Sequence, residues 1–287
     1  MSPTPPQYSL RKAESIDRAL LTRFLNSPTF THRHLDWREP LDWLGIQPFW
    51  ILEKNYEVEA ILACPPDPAE VAWVRIFSVS SRASPSLSWN ILFERALNDL
   101  ANREPRPTIV SLSLQDWFGD LLEINNFVHH QDIIVLQYEA PPPQPLSGSP
   151  DIVLRPMHTN DLPAVEIVDN LAFEPIWRLS LDDLQRAFQR SSYKTVIELD
   201  GEIAGYQMSA LNGFNAHLAR LAVHPHLQRR KLGYRLVQDM LTHFILRHET
   251  WGVTLNTQDN NSASLALYQH IGFHLTGERF PVYVYKT

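Results

Sequence analysis

Apolar residues recur along this chain in two rhythms: short runs suited to strands, and three-to-four-residue spacings suited to helices. A helical pattern over Ile16–Phe24 follows an N-terminal tail that is expected to be unstructured. Phe49–Glu53 and Glu57–Cys64 read as strands turning at Lys54-Asn55, and Val71–Val79 as one further strand. A helix over Trp89–Leu100, a strand over Thr108–Leu114, a helix over Trp117–Ile124 and a strand over Ile133–Tyr138 follow. After a proline-rich stretch the order begins again. Ile152–Pro156 opens with a strand, and Asp161 precedes an apolar helical run to Phe173. Ser180-Leu-Asp-Asp183 resembles a capping box, with Asp for the usual Glu, ahead of a helix through Leu184 and Phe188. Thr195–Ser209 reads as a hairpin, because Asp200-Gly201 favours a tight two-residue turn. A strand ending at Val223, a helix to about His248, a strand over Val253–Thr257 and a helix from Asn261 come next. Strands near His274–Glu278 and Val282–Tyr285 close the chain.

Ala140-Pro-Pro-Pro-Gln-Pro-Leu-Ser-Gly-Ser-Pro150 is the clearest boundary, stiffened by proline and ending in Gly and Ser. It predicts domains at 1–140 and 151–287 joined by a linker over 141–150. The repeated element order predicts a duplicated fold, with an unrelated α+β first domain as the alternative.

Two stretches of the second half carry candidate chemistry. From Ala216 to Val237 an apolar strand is stopped by Pro225, a basic turn spans Gln228–Tyr234, and a helix leaves through Leu232, Leu236 and Met240. Strand, basic turn and helix start together favour phosphate, since the first backbone N–H groups of a helix lack internal partners. Arg229, Arg230, Lys231 and Arg235 add charge there; a solvated basic loop fits the same residues. In the second stretch, Asn261 is placed to cap a helix and Gly272 to end it in the left-handed conformation. Leu265 and Ile271 suit its buried face, and Tyr268 brings a hydroxyl.

Val223-His224-Pro225 followed by Gln228-x-x-Lys231-x-Gly233, with Asn261-Ser-Ala263-Ser-Leu265-Ala-Leu267-Tyr268-Gln-His-Ile271-Gly272-Phe273 beyond, resembles the two motifs of the GNAT superfamily of acyl-CoA-dependent N-acyltransferases. The resemblance covers residues 151–287. It implies an α/β (α+β mixed sheet) protein of two tandem GNAT-like domains, each a mostly antiparallel sheet flanked by helices, a layout similar to the mycothiol synthase family. It implies acetyl-CoA as cosubstrate. The main chain of Leu221, Ala222 and Val223 would bind the pantetheine arm and polarise the carbonyl. Gln228, Arg229, Arg230, Lys231, Leu232, Gly233 and Tyr234 would hold the pyrophosphate, with Asn261 also on the cosubstrate. Lys231 stands where the family has glycine, and either weakens the cradle or adds an ion pair. Tyr268 matches the family's proton donor to the departing thiolate, and core filling beside Phe273 is its other reading. His217 occupies the position of a glutamate base in many relatives, and a polar strand entrance accounts for it equally. Alternation along the strand puts His217 on the side of Ala219, Leu221 and Val223. Asn256 stands where some relatives are acidic, placed to position a water or the substrate.

The first half is expected to be non-catalytic. Its turn after Val79, Ser-Ser-Arg-Ala-Ser-Pro, lacks glycine and has one cation; Asn126-Phe127 matches Gly272-Phe273, and Leu122 falls opposite Tyr268.

Composition narrows the classes. Of 287 residues 44% are hydrophobic, ordinary for a globular chain, and no run of 18 apolar residues occurs. The N-terminus lacks the regions of a signal peptide. Cys64 is the single cysteine, which excludes an intramolecular disulfide and a cysteine zinc site, and fits a cytoplasmic protein. Nothing has metal-site spacing, and the P-loop motif is absent. The net charge of −7 argues against nucleic acid. Five of the 13 cations beyond residue 150 lie between Arg220 and Arg235, a focus that suits a small polyanion such as CoA. The resemblance implies a small-molecule amine or a protein N-terminus as partner, and the composition adds the expectation of no nucleic acid, membrane or metal. A non-catalytic acyl-CoA sensor and an interaction module are the alternatives.

Overall fold

The computed structural model describes residues 8–27, 29–144, 151–247 and 250–286. The tail before Tyr8, the linker's end at 145–150 and His248 lie outside the described residues. In chain order the elements are β1 (Tyr8–Lys12), α1 (Arg18–Leu25), β2 (Thr29–Arg33), β3 (Phe49–Lys54), β4 (Glu57–Ala63), β5 (Val71–Trp73), β6 (Ile76–Ser80), α2 (Pro85–Ala101), β7 (Thr108–Leu112), α3 (Asp116–Glu123) and β8 (Phe127–Tyr138). They continue as β9 (Ile152–Pro156), α4 (Leu162–Ala172), α5 (Leu181–Arg190), β10 (Tyr193–Leu199), β11 (Glu202–Asn212), β12 (Asn215–Val223), α6 (Leu232–Leu241), β13 (Gly252–Gln258), α7 (Ser262–Ile271) and β14 (His274–Tyr285). None of the helices described is long and apolar enough to cross a membrane.

Two compact units result: Met1–His130 with Pro281–Thr287, and Gln131–Phe280. The division falls inside β8 and inside β14 rather than at the proline-rich stretch.

Unit 1 holds a five-stranded sheet in the order β1-β3-β4-β6-β2. β5 pairs parallel with β7, which pairs antiparallel with the end of β14. Its core is aromatic: Phe77, Trp89, Phe93, Phe118 and Phe127 pack edge to face or stacked around α2. The single strand expected over Val71–Val79 is two. Val74 N–H donates to Val110 on the β7 side, and Arg75 N–H donates to Ala63 on the β4 side, so one apolar run serves two neighbours. The tail expected before Ile16 contains β1, and β2 was not anticipated. Both are five residues long and rich in polar side chains, so neither shows a sustained alternation.

Unit 2 orders its strands β9-β10-β11-β12-β13, with the end of β8 beside β13. All these pairs are antiparallel except β12 with β13. The β10–β11 hairpin turns at Asp200 (φ 54°) and Gly201 (φ 84°), the positive pair that a tight turn requires. α6 buries Val237 and Met240 against Ala216 and Leu218, and Leu232 and Leu236 against Val223. The two strands expected at the C-terminus are one, β14, with Gly277 at φ 92° inside the first of them.

Candidate active site

β12 parts from β13 halfway along its length. Parallel pairing runs only from Asn215 opposite Gly252 to Leu218 opposite Leu255. In the ladder with β11, Leu218 faces Ser209 and Arg220 faces Met208, so Ala219 is an extra, bulged residue. Past this bulge Arg220–Val223 keep β11 as partner but have no β13 register pair, which leaves backbone groups on one edge of β12 open. A cleft of about 550 Å³ lies along this edge. Leu221, Ala222, Val223, Gln228, Arg229, Lys231, Leu232, Gly233, Tyr234 and Asn261 all line it; of the predicted cosubstrate residues, Arg230 alone does not.

The turn is shaped to present N–H groups. Arg229 (φ 62°) and Lys231 (φ 64°) are left-handed on either side of Arg230, the kind of alternation that forms an anion-binding concavity. Gln228 Nε2 donates to Val223 O at 3.3 Å and ties the turn to the strand end. Lys231 is the N-cap of α6 and makes no side-chain cap, so the helix start keeps unsatisfied donors and its positive dipole end. Lys231 has thus adopted the backbone conformation that glycine would take without strain. At Gly233 a Cβ would meet Leu267 Cδ2 at 3.1 Å, so the glycine permits the close approach of α6 to α7. α7 starts as expected, with Asn261 Oδ1 accepting from Ser264 N at 3.1 Å. Gly272 (φ 115°) is its C-cap.

The expected focus of five cations is smaller. Arg229, Arg230 and Lys231 are exposed at the turn, but Arg220 is committed elsewhere. Its guanidinium grips the fully buried Asp169 of α4 through Nε (2.8 Å) and Nη2 (2.9 Å), and Nη2 also donates to Trp177 O at 2.6 Å. Tyr206 donates its hydroxyl to the same carboxylate, and the Arg220 guanidinium stacks 3.6 Å from the centre of the Phe173 ring. Burial and the Asp169 charge push the Tyr206 hydroxyl pKa up. This network fixes the α4–α5 connection, whose Phe173 lines the cleft. The proline and aromatic residues of Phe173-Glu-Pro-Ile-Trp177 were its only sequence signal.

The two predicted catalytic side chains do not line the cleft. Tyr268 is 5% exposed, packed among Leu218, Leu255 and Phe273, and its hydroxyl has no hydrogen-bond partner among the described residues. Burial raises its pKa, so it stays protonated at neutral pH. His217 Nδ1 lies 2.9 Å from Thr254 Oγ1, and burial lowers its pKa, so it is neutral at pH 7. The bulge at Ala219 overturns simple alternation: His217 shares a face with Arg220 and Ala222, opposite Leu221 and Val223. Asn256 is exposed on β13, two residues from Thr254 and hence on the same face as that residue.

Unit 1 treats the equivalent places differently. α2 begins with Pro85, which has no N–H, and Ser84 Oγ accepts from Leu87 N at 3.4 Å. β6, which follows the break at Arg75, is paired on its far edge by β2, with Phe30 opposite Val79 and His32 opposite Phe77. The edge that is open on β12 is therefore covered on β6 by the chain's own strand.

Residues 162–273 match the model of the acetyltransferase (GNAT) family. No curated protein matches the chain by sequence. Among solved structures, a GCN5-related N-acetyltransferase from Sphaerobacter thermophilus is 16% identical, with 98% of this chain and 96% of that chain covered and a TM-score of 0.62. A tandem GNAT protein from the clavulanic acid biosynthesis pathway is 15% identical, with 97% and 98% covered and a TM-score of 0.63. A GCN5-related N-acetyltransferase from Kribbella flavida is 10% identical, with 97% and 71% covered and a TM-score of 0.68. Residues 162–273 thus match the acetyltransferase (GNAT) family, and the chain has the fold of tandem GNAT proteins.

Proposed function

We propose that unit 2 transfers an acetyl group from acetyl-CoA to a primary amine. The observation that carries this reading is one cleft joining an open strand edge to an uncapped, cationic helix start. Backbone groups of Leu221–Val223 suit the amide-bearing pantetheine arm, and the N–H groups from Lys231 to Tyr234 suit its diphosphate. The amine nitrogen attacks the thioester carbonyl carbon, the C–S bond breaks, the amine loses a proton and the thiolate gains one. Tyr268, kept protonated by burial, is the proposed donor to sulfur, and His217, kept neutral, the proposed acceptor of the amine proton. Asn256 is proposed to order a water near His217. The acceptor is a small-molecule amine or a protein N-terminus, and the reaction needs no metal, membrane or nucleic acid. A cytoplasmic setting fits a chain whose single thiol, Cys64, is buried with its pKa pushed up to about 12.

Unit 1 is proposed to be non-catalytic, since β2 and Ser84 occupy the edge and the helix-start donors that binding would use. A second reading, a non-catalytic acyl-CoA sensor, draws on the placement of Tyr268 and His217 outside the cleft lining. Release of free thiol from acetyl-CoA over a panel of amines separates the two. Turnover that Tyr268→Phe lowers by about tenfold or more, with CoA affinity kept, supports the enzyme. CoA binding without turnover on any amine supports the sensor.

A further inference from the structure

A second cavity of about 370 Å³ in unit 2 shares Ala172, Phe173, Asn261 and Ala263 with the cosubstrate cleft. We propose that it is the acceptor site, and that its occupant is a monosaccharide-sized, hydroxyl-bearing primary amine without an acidic group. This inference rests on the acetyl-transfer reading above and adds the substrate class to it.

Three features of the wall select that chemistry. First, its polar side chains are mostly amides: Gln131, Gln258 and Asn260. An amide offers both a donor and an acceptor, which matches a hydroxyl, itself both. Gln131 is 3% exposed, and its Nε2 has no partner among the described residues. A buried amide left unpaired costs about 1–3 kcal/mol, and a ligand oxygen would relieve that cost. Second, Phe173 and Trp177 bring aromatic surface for the C–H face of a ring.

Third, Glu174 is the one charged side chain among the described residues that line the cavity, and it is exposed. The charged side chains around it are engaged by neighbours. Asp132 and Asp259 are both held by Arg279, at 2.7 and 2.9 Å. Arg178 gives its Nε to Phe173 O at 3.2 Å, and Arg220 is bound to Asp169. An ammonium is therefore drawn to the mouth by Glu174, whereas an acceptor carboxylate would meet Glu174 with no cation in the wall. The volume lies near the lower end of ligand sites, roughly 300–1,000 Å³, which favours one small ring over an extended peptide.

The test uses the full chain with saturating acetyl-CoA and four probes: glucosamine, cyclohexylamine, glycine and a short peptide with a free N-terminus. Free-thiol release gives kcat/KM, and calorimetry gives the acetyl-CoA Kd. Glucosamine is expected to exceed cyclohexylamine by about a hundredfold, as for a site built to pair hydroxyl groups. Gln131→Met should cut that preference about tenfold, mostly through KM, with the acetyl-CoA Kd unchanged as the check on folding. Glu174→Gln should raise KM for glucosamine about tenfold at low salt and less at high salt. Preference for glycine, cyclohexylamine or the peptide overturns this inference while leaving acetyl transfer standing. An unchanged preference in Gln131→Met does the same. Acetyl-CoA binding with turnover of none of the four overturns this inference, and absence of turnover over the wider amine panel overturns the reading beneath it.

Discussion

Lys231 holds a left-handed backbone (φ 64°, ψ 14°) at the head of α6, a conformation that costs a residue with a Cβ about 1 kcal/mol. Lys231→Gly is therefore expected to raise unfolding free energy by about 1 kcal/mol without ligand, while Lys231→Ala, which keeps the Cβ, leaves it unchanged. Urea unfolding of the two variants checks this; equal effects would mean that the backbone carries no such strain. In unit 1, burial pushes the His32 pKa down to about 4, and His34 is shifted the same way. Unfolded, a histidine titrates near 6.5, so below that pH the unfolded chain binds more protons and stability falls. The loss from His32 grows as pH drops from 6.5 through about 4 and amounts to about 3 kcal/mol. Urea midpoints at pH 7 and pH 4.5 should show this fall, and His32→Gln should make it smaller. A midpoint indifferent to pH in both proteins would refute it. If Tyr268 and His217 act as proposed, the raised Tyr268 pKa leaves no alkaline limb near neutrality, and the lowered His217 pKa moves the acid limb below pH 6.5. A kcat profile at saturating amine flat from pH 7 to 9 is expected, and a fall above pH 8 would remove Tyr268 from the role.

Among the elements, the α4–α5 connection depends on a single buried ion pair. Arg220→Met leaves Asp169, which has no exposed side-chain surface, without its cation, and should destabilise the protein by about 3–5 kcal/mol. Adding Asp169→Leu should recover most of that loss, because a buried pair replaced by apolar residues is often neutral. Denaturant unfolding of the single and double variants distinguishes this from simple loss of packing, in which the double variant would be worse. The elements legible in the sequence were those fixed by local chemistry. Asn261 and Gly272 set the ends of α7, Asp200-Gly201 set the hairpin, and Pro225 closed β12. What was not legible depends on neighbours far along the chain. The bulge at Ala219 exists only in register with β11, and the split at Val74-Arg75 arises because two strands compete for one run. Arg220 read as part of the basic focus because its partner lies 51 residues away.

For the molecule as a whole, the duplication expected from element order is present, and the two units differ where binding chemistry would be decided. Both have a strand that loses its parallel partner before a helix start, β5–β6 before α2 and β12 before α6. Asn126 (φ 65°) precedes Phe127 as Gly272 (φ 115°) precedes Phe273, although Gly272 is the C-cap of α7 and Asn126 lies two residues past the C-cap of α3. In unit 1, however, β2 lies on the strand edge and Ser84 caps the helix, whereas in unit 2 no described residue covers edge or donors in that way. The function proposed above therefore predicts one acyl-CoA bound per chain. The most direct measurement is a calorimetric titration of the full chain with acetyl-CoA, alongside the variant Arg229→Ala/Arg230→Ala/Lys231→Ala. The prediction is a single equivalent bound, weakened about a hundredfold or more in the variant as the cradle loses its cations. Two equivalents, no heat at all, or affinity untouched by the triple substitution would contradict it.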